Sequence, residues 1–166
     1  LNSATFNGGG IYNYSAGNPT ITNSTIAKNS AASGAGLYAG NGSLPVLSSC
    51  IVWGNIATSI VSEGDSTVSA VYSTIQGGWP GKFNMAVSPH FRSNTNFRLL
   101  SNSPAIDSGF LDDQRKEVLF RDLDGHARVL CAAADRGAYE FGIGDFNCNR
   151  AVDLPDWSAW PACVTG

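Results

Sequence analysis

Through the first half of the chain, apolar and small residues fall at roughly alternate positions, separated by Gly, Asn and Ser. That is strand-and-turn chemistry. An amphipathic helix would instead place apolar residues at i, i+3 and i+4. The pattern also repeats. Gly8-Gly9-Gly10-Ile11-Tyr12 returns as Gly34-Ala35-Gly36-Leu37-Tyr38, and the Pro19–Asn29 stretch returns as Pro45–Asn55, all at an offset of 26. A fixed period in the twenties signals stacked units, each too small to bury its own apolar face. One coil of a parallel β-helix fits: short strands, sharp corners, and like residues stacked from coil to coil.

Each position then has a physical job. Ile21, Ser24 and Ile26 point inward, with Leu47, Cys50 and Val52 stacked on them. Asn23 and Asn29 sit at corners, since Asn tolerates the left-handed conformation, and Asn55 repeats the Asn29 corner. A third coil reads as Ile60-Val61-Ser62 and then Val71–Gly78, with Val71 placed 24 residues after Leu47. The expected fold is all-β: parallel β-helix coils over 1–78, irregular coil and a C-terminal cap over 79–141, and a small loop–helix module at 142–166.

Gly77-Gly78-Trp79-Pro80-Gly81 is a turn cluster that ends the regular pattern. Beyond it, 82–95 reads as a loop, 96–100 as a strand and 101–109 as a turn. Residues 112–119 read as a short helix or loop, 121–125 as a turn and 135–141 as a last strand. Residues 112–141 are expected to close the end of the solenoid, with Phe97, Leu99 and Tyr139 as the plug. Asn2-Ser3-Ala4 matches Asn29-Ser30-Ala31, so the chain opens inside the repeat pattern. The expectation is a C-terminal fragment with further coils upstream, and the missing signal peptide then says nothing about secretion.

Composition narrows the function classes. Charged residues make up 14% of the 166, against roughly 25% in an average soluble protein. Before residue 91 the only ones are Lys28, Glu63, Asp65 and Lys82. The formal net charge of −3 argues against a nucleic-acid partner. No apolar run reaches the ~20 residues of a membrane helix. A surface of Ser, Thr, Asn and Gly suits a secreted, carbohydrate-facing or adhesive solenoid, and equally a plain one.

An ordered set of motifs carries a family resemblance. Gly8–Asn13 and Pro19–Asn23 come first, then Tyr72-Ser73-Thr74-Ile75-Gln76-Gly77-Gly78, Phe97-Arg98-Leu99 and Ser103–Gly109. Arg121–Gly125 and Asp135-Arg136-Gly137-Ala138-Tyr139-Glu140-Phe141 complete it. Over about residues 7–141 the chain resembles the choice-of-anchor Q group of bacterial surface or secreted right-handed β-helix proteins. The resemblance implies an extracellular or cell-surface location and an anchoring or sorting module after the Gly-Ala-Tyr-Glu-Phe stretch.

The best candidate site lies in that module. Asp145, Asn147, Asn149, Asp153 and Asp156 place oxygen-bearing side chains at positions 1, 3, 5, 9 and 12 of a twelve-residue loop, and Ala151 offers its carbonyl at position 7. That is the ligand spacing of an EF-type Ca²⁺ loop. Val152 is the apolar anchor at position 8. Asp rather than Glu at position 12 resembles the dockerin form, which implies a cohesin-like or cell-surface partner bound through 145–166. Leu154 through Trp160 is the expected helix, with Trp157 and Trp160 on one face and Pro161 ending it. Arg150 stands where Gly normally makes the sharp turn, so that residue must strain. Only one such loop is present.

Cys50 reads as a buried free thiol, and Cys131 has no evident partner. Cys148 can pair with Cys163 across the small module or with a cysteine beyond the chain. His90 and His126 read as surface or turn residues, and Asp122 and Asp124 as turn formers or a second calcium site. Asp107 and Asp135 read as carboxylates serving backbone or arginine groups. Trp53, Tyr12, Tyr38 and Tyr72 can stack on sugar rings or pack between coils. No catalytic residue is assigned: residues 1–78 hold one Asp (Asp65), one Lys (Lys28) and no Arg. The expected function is structural, adhesive or polysaccharide-binding, with a calcium-dependent docking module. The rival is a polysaccharide lyase or glycoside hydrolase whose catalytic coils lie upstream.

Overall fold

The computed structural model describes residues 1–110, 121–142 and 144–158. The first coil comprises β1 (Ile11–Asn13), β2 (Thr20–Thr22) and β3 (Thr25–Ala27). The second comprises β4 (Leu37–Ala39), β5 (Val46–Ser48) and β6 (Ile51–Trp53), and the third β7 (Ile60–Ser62), β8 (Ser69–Val71) and β9 (Thr74–Ile75). Equivalent strands pair in parallel, giving three sheets in the orders β1-β4-β7, β2-β5-β8 and β3-β6-β9. Three stacked parallel sheets wound by one chain are the architecture of a parallel β-helix.

The register stacks Ile21 on Leu47 and Ile26 on Val52, as the 26-residue period requires. Leu37, Leu47 and Val52 of the middle coil are fully buried, because a coil covers them on both sides. Each such aliphatic side chain contributes about 1.5–3 kcal/mol on burial. Cys50 joins this core as a free thiol. It donates to the Ile21 and Ser48 carbonyls, and burial pushes it up to about 11.

The third coil departs from the expected register. Leu37 pairs with Ile60, Leu47 with Ala70 and Val52 with Ile75. The spacing is 23 residues, and Ala70 rather than Val71 lies beneath Leu47. A one-residue slip exchanges the inward and outward sets, and Ala70 is buried while Val71 is only half-buried. The missing residues come out of one connection: residues 28–36 join the first two coils, whereas 54–59 join the second to the third.

Corners are built from left-handed columns. Asn23, Ser49 and Tyr72 have φ of 41°, 54° and 50°, and Gly8, Gly34 and Ala57 have φ of 69°, 58° and 80°. Asn29 and Asn55 do not take the left-handed conformation expected of them; Lys28 and Gly54, one residue earlier, do. The asparagines form a buried ladder instead. Asn55 Oδ1 accepts from the Asn29 backbone N–H (2.9 Å) and Nδ2 (3.1 Å), and its Nδ2 donates to the Ile26 carbonyl (2.9 Å). An amide does this well because it carries donors and an acceptor together.

The C-terminal part closes the molecule differently from expectation. Trp79 packs on the main core, its Nε1 donating to the Val68 carbonyl at 2.9 Å. Met85 adds a single parallel bridge to Thr74. Residues 91–110 and 121–141 lie along the flank. Leu99, Ala105 and Ile106 form a second cluster on Ile51, the outward neighbour of Val52, with Trp53, Phe91 and Phe141 against it. Of the expected plug, Leu99 is buried here. Phe97 stacks edge-on to Phe91, and Tyr139 lies under the Arg98 guanidinium. The strands expected at 96–100 and 135–141 reduce to the isolated antiparallel bridge Phe91–Leu99 and to bends. Residues 154–158 are helical. The expectations for 112–119, Trp160, Pro161 and Cys163 fall outside the described residues. Among the described residues no helix is long and apolar enough to cross a membrane.

Candidate metal centre

The loop 145–156 is held by its own carboxylates. Asp145 Oδ1 accepts the Asn149 N–H at 3.0 Å, and Oδ2 accepts the Arg150 N–H at 2.6 Å. Asn147 Oδ1 takes the Asn149 N–H at 3.0 Å, and Asn149 Oδ1 takes the Ala151 N–H at 2.8 Å. Asp156 returns from the helical turn to close the ring, accepting the Asn147 N–H at 3.2 Å and the Asp153 N–H at 2.8 Å. The third and twelfth positions thus meet across nine residues, and the Asp145 side chain lies within hydrogen-bond reach of Asp156. Arg150 has φ of 69° and Cys148 φ of 61°, so the turn is made by two residues with side chains in the left-handed region.

Asp145 and Asp156 are buried, at 4% and 3% exposure, in a segment where nearly every neighbour is exposed. Buried carboxylates demand compensation. The Asp153 N–H, with those of Asn147 and Phe146, holds Asp156 below the usual carboxylate range. This oxygen-rich donor set fits a hard cation such as Ca²⁺. Asp153, whose side chain is exposed, does not complete a tight three-carboxylate cluster with them. Val152 is 67% exposed, so it is not a buried anchor. Leu154 and Trp157 are 88% and 80% exposed.

Cys148 is bridged to Cys131. The pairing with Cys163 weighed from spacing is therefore overturned, for Cys148 is already taken. The bond ties the loop to the flank, and nothing in the spacing of the four cysteines singled out Cys131.

Asp122, Asp124 and His126 lie close enough to share an ion. The loop 145–156 also spends its carboxylate oxygens on backbone N–H groups, but this trio already has a cation beside it. Asp122 Oδ1 accepts the N–H groups of Asp124 and His126, its Oδ2 accepts the Glu140 N–H, and Asp124 pairs with Arg98 at 2.5 and 2.7 Å. The Arg98 guanidinium holds Asp124 below its ordinary range. These are turn formers. Asp107 and Asp135 serve backbone groups: Asp107 accepts from Ala132 and Ala133, and Asp135 from Asp107 and Phe141.

Sequence reading missed the buried ion pair Arg128–Glu140, at 2.9 Å. Arg128 also donates to the Gly137 and Asn23 carbonyls, locking the flank to the first coil. Charges on an irregular segment carry no periodic signal that could have revealed it. Of the aromatic residues singled out, Tyr12 stacks on Tyr38 at 5.3 Å, Tyr72 lies between Phe83 and Phe110, and Trp53 packs on the flank. No protein-family model, curated protein or solved structure matches the chain.

Proposed function

We propose that this chain belongs to an extracellular or cell-surface right-handed β-helix protein, a structural or adhesive scaffold that carries a calcium-closed docking module. The observation that carries the reading is the pair of buried carboxylates, Asp145 and Asp156, drawn together at the two ends of a twelve-residue loop. Ca²⁺ would be held by Asp145, Asn147, Asn149, the Ala151 carbonyl, Asp153 and Asp156, and would supply the positive charge that these acids lack. Two further features support it. The Cys131–Cys148 bond suits an oxidising compartment. The uncovered Leu154 and Trp157 beside the loop offer an apolar face to a cohesin-like or cell-surface protein.

Calorimetry on the whole chain tests this. Ca²⁺ is expected to bind at one site with an affinity of about 1 mM or tighter, and the Asp156→Ala chain is expected to show no heat. Absence of binding to the parent chain at millimolar Ca²⁺ would leave only a polar tail.

A further inference from the structure

One row of outward positions just past β1, β4 and β7 runs Tyr14, Gly40, Glu63. The strand register and the backbone bonds Gly40 N–H to Asn13 and Glu63 N–H to Ala39 set them one above another. The neighbouring row carries Tyr12 and Tyr38, ring on ring, with Tyr14 stacked beside Tyr12 at 5.6 Å. Gly40 is thus the one position without a side chain in an aromatic wall. A Cβ there would meet Tyr38 at 2.9 Å and Tyr14 at 3.1 Å. The two rings close over Gly40, and beside them lies an open depression of about 330 Å³ lined by Tyr14, Tyr38, Gly40, Asn41, Glu63 and Asp65. That is room for one sugar ring lying on the surface.

The lining has two kinds of chemistry. Tyr14, 49% exposed, offers a flat apolar surface, whereas Tyr38 is buried and contributes its hydroxyl. The Tyr38 hydroxyl donates to Glu63 Oε2, which fixes that carboxylate and leaves Oε1 to accept from a ligand. Asp65 makes no side-chain bond to another described residue, and the Asn41 side chain donates only to Ser15, at 3.3 Å, which leaves its Oδ1 open. One exposed aromatic face edged by acceptors matches a pyranose, whose C–H face is apolar and whose hydroxyls radiate as donors. Two carboxylates with no cation in the lining repel an anionic sugar.

We propose that this depression binds a single uncharged pyranose unit of a glycan, its C–H face against Tyr14 and its hydroxyls donating to Glu63, Asp65 and Asn41. The site lies on the coils, away from the loop 145–156, and does not depend on calcium.

The test is amide-resolved NMR titration of the whole chain with cellotriose, mannotriose, trigalacturonate and arginine amide, each to ~50 mM, far above a weak Kd of ~1 mM. Saturable shifts at residues 38–41 and 63–65 are expected with at least one neutral trisaccharide and not with trigalacturonate. Tyr14→Ala should weaken that binding about tenfold or more. Asp65→Asn, on an exposed side chain that holds nothing in the fold, should weaken it several-fold without altering the spectrum elsewhere. The same sugar response is expected in the Asp156→Ala chain, which separates this site from the docking module. Silence with both neutral sugars, equal binding of trigalacturonate, or a response to arginine amide alone would overturn the proposal.

Discussion

At the scale of single residues, Arg150 shows how a motif can be followed and strained together. The loop needs a left-handed residue where it turns under Asp145, and Arg150 supplies it at φ 69°. A residue with a Cβ pays about 1–2 kcal/mol for that conformation, which glycine avoids. Arg150→Gly is therefore expected to tighten Ca²⁺ binding several-fold in calorimetry, since it also removes a positive charge beside the ion; weaker binding would show that Arg150 holds the loop. The loop was legible because its Asp and Asn residues recur at fixed steps, and the backbone folds back onto their side chains. The buried Arg128–Glu140–Asp135 group was not, because its partners lie on separate bends. Burial pushes Asp135 up to about 6, and burial together with the Asp135 charge pushes Glu140 up to about 8. In an unfolded chain both titrate near ~4. Between those limits the folded protein holds protons that the unfolded chain releases. The stability linked to them is complete below pH ~4 and is lost as pH rises through about 6 and about 8. Thermal melts at pH ~5 and ~8.5 should show the lower midpoint at the higher pH, and Glu140→Gln should flatten the change. A midpoint that rises with pH would contradict the assignment.

At the scale of elements, the middle coil carries the core. Leu47 lies between Ile21 and Ala70 and is fully buried. Leu47→Ala is expected to cost about 2–5 kcal/mol in urea unfolding, because the coils above and below cannot collapse into the gap. Ile21→Ala, on a half-buried end coil, should cost clearly less. Equal losses would mean that the coils do not stack as described. The first two coils could be read from sequence because period and register coincide there. The third could not be placed to the residue. The strands kept their spacing while one connection shrank from nine residues to six, and local matching of Val71 to Leu47 was blind to that. The irregular flank carries neither period, so its position on the outer side of β6 had no sequence signature.

At the scale of the whole molecule, one covalent bond joins the terminal loop to the flank. Cys131–Cys148 closes a segment 17 residues apart in sequence, which by chain entropy contributes about 3 kcal/mol. Cys131→Ser is expected to leave the solenoid's melting in place while exposing 144–158 to limited proteolysis and weakening Ca²⁺ binding; unchanged protection would mean that the loop holds itself. The flank reaches much further back. Arg128 bonds Asn23 across 105 residues, Asp135 bonds Asn23 across 112, and Ala138 bonds Thr25 across 113. A simple solenoid contacts only nearest neighbours, so it can nucleate anywhere and grow coil by coil. This one has its first coil stitched to residues 128–138 of the flank. Closing so long a loop delays the reward for early pairing, so refolding should be slow, on the millisecond-to-second scale of non-local topologies. Once the stitch is made, fraying from the first coil is blocked. Hydrogen exchange should then find the Ile26 and Ile75 amides opening together in one global event rather than in sequence along the axis.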